Sequence, residues 1–418
     1  MQAPRDVASS VLDSTVPDKE DIISINMIDF AEMISAAVDL MEKGVYHHGQ
    51  RVAYIAYRLF NTINLKGDSL HLVVASYLHD IGISTFELKE EARNFILEEQ
   101  LIRAHCIEGE ELIRDVRLLS RIRQTILHHH TDYSEIRKAD DVDRLLEAQI
   151  IHLADRIDVL IRNDTYILEQ SDAIKETIKG YSGTMFHPML VNAFLSLAEK
   201  ESFWFDLVNE RTYSALKAAH YNRKFMMKRE DIRQFANLCA KIVDRKSSYT
   251  AAHSKRVAEI ASRLGAFMGM SENDVFYLEI AGLLHDLGKL SIPEAILHKP
   301  GKLSRKEFNI IKQHTYHTYQ LLDMLQIMNK IRDWAAFHHE KLDGSGYPFH
   351  KKGQELDLGA RIMAVADIST ALSENRSYRN KMSKKEILDI LWQQVEQNWI
   401  DGDVVRILER NFDEIVMV

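Results

Sequence analysis

Histidine and aspartate recur along this chain at spacings that can hold metal ions. The second half carries His253, His285, Asp286, His314, His338, His339 and Asp367, several of them at the ends of apolar runs such as LLHD. A single helical histidine is ordinary. Burying seven such imidazoles and carboxylates without partners is costly, and a metal cluster removes that cost. Histidine and carboxylate ligands with no cysteine among them point to Fe, Mn, Zn or another divalent first-row metal. An aspartate in the middle of the set can bridge two ions. Two ions about 3.5–4 Å apart are the recurring arrangement for phosphoester hydrolysis.

The elements that position these residues occur twice. HGQRVAYIAYRL from His48 returns as HSKRVAEIASRL from His253, at an offset of 205. The doublets His79-Asp80 and His285-Asp286 follow at 206, His105 and His314 at 209, and Asp155 and Asp367 at 212. The pairs His128-His129 and His338-His339 match at 210, with His130 leaving a one-position ambiguity. FHPMLVNAFL from Phe186 resembles IDGDVVRILE from Ile400. A long-period repeat with a slowly growing offset means two homologous domains separated by small loop insertions.

Apolar residues at three- and four-residue steps in QRVAYIAYRLF and KRVAEIASRLGAF predict amphipathic helices. Ser271 with Asp274, and Ser304 with Glu307, read as helix starts. HKPGKLS between helices is a turn-rich loop, and no segment has a sustained strand alternation. The expectation is an all-α chain of two tandem homologous helical domains. Residues 1–24 form a flexible N-terminal segment, 25–200 the first domain, 201–230 a structured helical linker and 231–418 the second domain.

With 418 residues the chain is long enough for two or three domains, and 46% apolar content with 6 prolines fits a compact helical protein. Two cysteines, Cys106 and Cys239, build no disulfide framework and favour a reducing compartment. The first twenty residues lack a signal peptide's apolar core, and no run of eighteen apolar residues spans a membrane. A cytoplasmic protein is expected. A net charge of -9 with mixed signs argues against capture of long nucleic acid, while leaving room for a small phosphorylated ligand at one local site.

HDLGK at His285, HHE at His338 and KLDGSGYP at Lys341 together resemble the HD-GYP family of the HD phosphohydrolase superfamily, over roughly Asp231 to Val418. The resemblance implies an all-helical HD-type domain with a di- or tri-metal centre, often iron, that hydrolyses bacterial cyclic dinucleotides: cyclic di-GMP or 3′,3′-cyclic GMP-AMP. By position, Asp286 resembles the bridging ligand. His314, His338 and His339 resemble the second ion's ligands, and His253, His285 and Asp367 complete the cluster. Lys289 resembles the lysine near the scissile phosphate, where an ammonium stabilises negative charge. Asp343, Gly346, Tyr347 and Pro348 belong to the loop that names the family; Tyr347 either packs, stacks or hydrogen-bonds. Arg376 and Arg379 resemble residues that clasp the dinucleotide phosphates, a task that suits arginine's fork, or else form an exposed basic turn. Cofactors implied are two divalent ions, Fe or Mn favoured, with Ni, Co, Mg or Zn as others.

Two departures stand out. Many members have HPxxG where this chain has His314-Thr315-Tyr316-His317-Thr318, so Thr318 replaces a glycine and the local packing should differ. Trimetal members carry a glutamate one turn before the first histidine; here it is Tyr249, which favours two ions.

The first half keeps His48, His79, Asp80, His105, His128, His129 and Asp155 as a second candidate metal site. It loses the surrounding chemistry, because Ile83 stands in place of Lys289 and HHHTDYSEI in place of HHEKLDGSGYP. A degenerate domain that regulates or supports the second is expected ahead of a hydrolase of another substrate or a ligand sensor. Contact between the two domains is expected, and oligomeric state stays open. The competing functions are a general HD-superfamily nucleotide phosphohydrolase and a cyclic-dinucleotide-binding regulatory protein whose metals are structural.

Overall fold

The computed structural model describes residues 23–41, 47–85, 94–96, 99–138, 145–209, 211–246, 253–326, 328–375 and 380–417. The N-terminal stretch 1–22, Tyr249, Arg376 and Arg379 lie outside the described residues.

Six helices recur in the same order in each half. In the first they are α1 (Met27–Asp39), α2 (His48–Thr62), α3 (Ser69–Leu78), α4 (Glu99–Ile113), α5 (Arg123–His128) and α6 (Leu146–Val159). In the second they are α7 (Arg229–Lys246), α8 (His253–Phe267), α9 (Glu272–Leu284), α10 (Gln313–Asp323), α11 (Asn329–Ala336) and α12 (Leu358–Ser373). Within each unit the second helix packs along the third and the sixth, which brings their polar ends together around one centre.

Local chemistry starts these helices where the sequence signals them. Ser271 Oγ accepts from Asp274 N ahead of α9, and Asp357 caps α12 through Ala360 N. Ser304 and Glu307 form a complete capping box at the helix Arg305–Ile311. Such caps satisfy backbone donors that the first turn leaves unpaired.

The first part of the segment 201–230, through Ala219, is built into the first unit. Its helices Glu201–Val208 and Arg211–Ala219 bury Phe203 and Trp204, whose rings meet Phe194 of the helix Pro188–Ala198. Two four-residue strands stand apart from the helical pattern: β1 (Ile23–Asn26) and β2 (Lys224–Met227) pair antiparallel, Ile23 opposite Met227. Each strand leads directly into the first repeated helix of its unit, α1 or α7.

That pairing sets the two units against each other with their equivalent elements reciprocally in contact. α1 packs on α10 and on the 3-10 turn Leu287–Ser291 of the second unit, while α7 packs on α4 of the first. Polar contacts frame the apolar seam. Arg117 donates to Asp231 at 2.9 and 2.8 Å, and Arg245 pairs with Glu108 at 3.0 Å. Among the described residues no helix is long and apolar enough to cross a membrane.

Candidate metal centre

In the second unit the candidate metal-binding residues lie where α8, α9, α10, α11 and α12 converge. His253 opens α8, His285 and Asp286 follow α9, His314 lies in the first turn of α10, His338 and His339 follow α11, and Asp367 projects from the middle of α12. Three overlapping donor groups result, each with its ligand atoms within 4.8 Å of one another: His253, His285 and Asp367; His285, Asp286 and His338; His314, His338 and His339. All seven residues expected as ligands are therefore brought together.

The imidazoles are aimed by the backbone. His285, His314 and His338 each donate Nδ1–H to the carbonyl three residues earlier, Gly282, Ile311 and Ala335, at 2.7 Å. Donation from Nδ1 leaves the Nε2 lone pair pointing inward, the orientation that metal-binding histidines receive from their supporting contacts. Two such lone pairs face each other across 3.4 Å between His314 and His338, and His285 Nε2, also buried, stands 3.1 Å from Asp286 Oδ2. Lone pairs that converge this closely need a cation between them, so the donor set fits a divalent metal.

Charge follows the same geometry. Burial, with the neighbouring His339, pulls the His314 imidazole down to about 3. Burial and the other histidines hold His338 well below its ordinary value. These rings are neutral and ligand-ready. Burial alone would raise Asp286, but the neighbouring His285 ring and the Lys289 ammonium hold it well below the usual carboxylate range. His253 is the exception. Burial lowers it, yet hydrogen bonds to Asp367 at 3.2 Å and Glu374 at 3.0 Å lift it to about 9.

Lys289 Nζ stands 2.5 Å from Asp286 Oδ2, at the edge of the cluster and partly open to solvent. The loop from Lys341 to Pro348 borders the same centre. Glu340, buried, accepts from Phe349 N at 2.7 Å and Lys351 N at 3.0 Å and so ties both ends of the loop down. Gly346 is required by space, since a Cβ there would stand 2.4 Å from Lys341 N. Tyr347 donates its N–H to His339 O at 3.2 Å and sets its ring 4.9 Å from the His339 ring; the peptide to the half-buried Pro348 is cis. Asp343 is exposed and accepts from Ser345 N at 2.8 Å, which places it in the loop's own turn and not at the metal donors.

Thr318 explains the departure from glycine at its position. Its hydroxyl accepts from Gly288 N at 2.9 Å and donates to His285 O at 3.0 Å, stapling the HDLGK segment to α10. The first unit has Gly109 at the equivalent place.

The first unit reproduces the frame and corrects one register. Asp80, His105, His129 and His130 form one donor group, and His48, His79 and Asp80 another. The histidine pair is His129-His130, since its rings stand 4.2 Å apart at 45°, as do those of His338 and His339. His129 donates Nδ1–H to Ile126 O at 2.6 Å, as His338 does to Ala335. His128 lies at the end of α5 beside Thr131 Oγ1 and is not a member of the donor group, contrary to expectation. A run of three histidines leaves one residue of freedom that only the exit of the helix resolves. Asp155 faces His48 Nε2 at 3.3 Å, but its other oxygen is taken by Arg156 at 2.7 Å. Ile83, in the place of Lys289, is buried.

Sequence reasoning did not single out the carboxylates that orient the leading histidines. In the first unit Asp158 holds His48 Nδ1 at 2.7 Å; in the second Glu374 does so for His253. They sit at non-equivalent places, so the repeat gave no signal for them.

This arrangement on this helical frame is that of a metal-dependent HD-domain hydrolase. Two family models, each described as an HD domain, match residues 45–160 and 237–404. The 3′3′-cGAMP-specific phosphodiesterase 1 of Vibrio cholerae is 32% identical over 405 residues, covering 93% of this chain and 92% of that protein. Phosphodiesterase 3 of the same organism and specificity is 34% identical over 322 residues, 74% of this chain and 66% of that protein. A crystal structure of a cyclic GMP-AMP specific phosphodiesterase of V. cholerae, V-cGAP3, superposes with a TM-score of 0.66 at 26% identity, covering 94% of this chain and 98% of that one. The chain belongs to the HD-GYP family of cyclic dinucleotide phosphodiesterases.

Proposed function

We propose that the second unit hydrolyses one phosphodiester of a bacterial cyclic dinucleotide to give the linear dinucleotide, with 3′,3′-cyclic GMP-AMP as substrate ahead of cyclic di-GMP. The observation that carries this reading is the convergence of His253, His285, Asp286, His314, His338, His339 and Asp367 beside Lys289 and the Gly346–Pro348 loop. The order of the two substrates follows the names of the near full-length relative and of the similar crystal structure.

The seven residues, Asp286 among them, would hold two divalent ions, Fe or Mn favoured. When bound, such ions supply Lewis acidity and an acidified water at neutral pH. The chain's own groups do the rest. Burial keeps the His314 and His338 imidazoles neutral, and the Nδ1-to-carbonyl hydrogen bonds keep them aimed. Lys289, beside Asp286, places an ammonium where charge grows on the phosphate oxygens. The Tyr347 ring and the tight Gly346 backbone border the site and orient the dinucleotide. Asp343, Arg376 and Arg379 are assigned to substrate contacts on family resemblance. Water adds across one P–O bond, and the ring opens.

The first unit lacks both the lysine and the glycine-rich loop, so turnover belongs to the second. The test is hydrolysis of both dinucleotides by anaerobically purified protein with its metal quantified, alongside Asp80→Ala and Asp286→Ala. Loss of activity in Asp286→Ala with retention in Asp80→Ala is expected. Equal activity of Asp286→Ala and its parent overturns the assignment.

A further inference from the structure

The helix Arg305–Ile311 sets an aromatic ring in the open beside the second unit's donor cluster. Phe308 is 43% exposed. Its ring stands 6.0 Å from the Tyr347 ring at 86°, and Tyr347 in turn lies 4.9 Å from the ring of His339. Phe308 is therefore two ring contacts out from a metal donor. An apolar ring held in water at that place gains free energy when a ligand covers it.

A cation accompanies the ring. Lys312, one helical turn after Phe308, holds its Nζ over both rings, 5.2 Å from the Phe308 centroid and 5.6 Å from that of Tyr347. An ammonium there favours an anionic ligand. The ring belongs to this unit alone. At the offset of 209 that relates His314 to His105, the first unit has Glu99 in place of Phe308 and Arg103 in place of Lys312. The cation is kept, while a carboxylate stands where the second unit has its ring. The ring thus goes with the unit that carries Lys289 and the GSGYP loop. A cyclic dinucleotide with one phosphate at the donors carries a base one sugar away, and every base offers a π-face that an aromatic side chain can take.

We propose that Phe308 is a substrate-binding residue: the nucleobase next to the cleaved phosphodiester stacks on its exposed ring, and Lys312 draws the anionic backbone to the same side. The stack lies away from the reacting atoms, so it holds ground state and transition state alike and acts on KM rather than kcat. This inference rests on the phosphodiesterase reading of the second unit.

The experiment is steady-state hydrolysis of 3′,3′-cyclic GMP-AMP by the full chain loaded with Mn²⁺. Phe308→Ala should raise KM about tenfold while kcat and metal content hold. Phe308→Tyr should keep the parent KM, and Phe308→Leu, apolar but without a π-face, should not. Phe267→Ala removes a ring of similar exposure, 41%, from the end of α8 remote from His253, and should behave as the parent. A parent-like KM in Phe308→Ala, equal values for Phe308→Leu and Phe308→Tyr, or the same rise in Phe267→Ala overturns the stacking. Loss of kcat or of metal in Phe308→Ala overturns it too, since the ring would then serve to assemble the centre. If the parent hydrolyses neither dinucleotide, the phosphodiesterase reading falls, and calorimetric titration of the same proteins with 3′,3′-cyclic GMP-AMP still decides the stacking. About tenfold weaker binding by Phe308→Ala supports it, and equal binding or none overturns it.

Discussion

Phe30 and Phe235 occupy equivalent positions in the two units, 205 residues apart, and pack on each other with ring centroids 4.7 Å apart. Together with the β1–β2 pair and the reciprocal contacts of α1 and α7, this makes the seam an internal pseudo-two-fold interface. α1 of the first unit thereby braces the 3-10 turn that carries Lys289 and the helix that carries His314.

Truncating either ring leaves a cavity at the seam. Phe30→Ala and Phe235→Ala should each cost about 3–5 kcal/mol in denaturant unfolding. The double variant should cost less than the sum by about 1 kcal/mol, because the lost ring–ring contact is shared. Strict additivity would show that the two rings act separately.

Lys289→Ile copies Ile83 of the first unit into the second. Removing a positioned cation from the developing phosphate charge should lower kcat about 10²–10³-fold. Metal content, measured by mass spectrometry, should hold, since Lys289 is not among the donor groups. A matching loss of metal would assign Lys289 to assembly of the centre and not to the reaction.

Thr318→Val keeps the shape of the side chain and removes its hydroxyl. Gly288 N–H and His285 C=O, both buried, then lose a partner. The expected cost is about 1–3 kcal/mol by thermal or denaturant unfolding, with a fall in kcat as the HDLGK segment loosens. An unchanged midpoint would mean that another group takes over both hydrogen bonds.

Glu32 on α1 predicts a pH dependence away from the metal centres. Burial pushes its carboxyl up to about 7 from 4.5, partly countered by a hydrogen bond from Tyr213. Between those values the folded chain binds more protons than the unfolded chain, so this group's contribution to stability falls as pH rises through 4.5 to 7. Glu32→Gln should flatten that slope in unfolding measured from pH 5 to 8, and should be the more stable protein at pH 8. An identical slope in both proteins would place the cause elsewhere.

The repeat, the helical class and the second unit's seven donors were legible in the sequence because each rests on local pattern. Apolar spacing makes helices, and a doubled motif order makes two homologous units. The contrast of Lys289 with Ile83, and of GSGYP with its absence, is likewise a matter of residue identity. Distances across the chain were not legible. His128 against His130 depended on where α5 releases the chain into the cluster, because a one-residue shift at a helix end turns a side chain by roughly 100°. Glu374 and Asp158 orient their histidines from non-equivalent places, so no alignment of the halves could pair them. Arg156 reads as an ordinary basic residue until the fold sets it against Asp155, inside a cavity that helices far apart in sequence enclose. The sequence by itself determined which groups can do chemistry. Tertiary packing decided which of them share a centre and which charges are already neutralised, because burial and proximity are properties of the assembled helices.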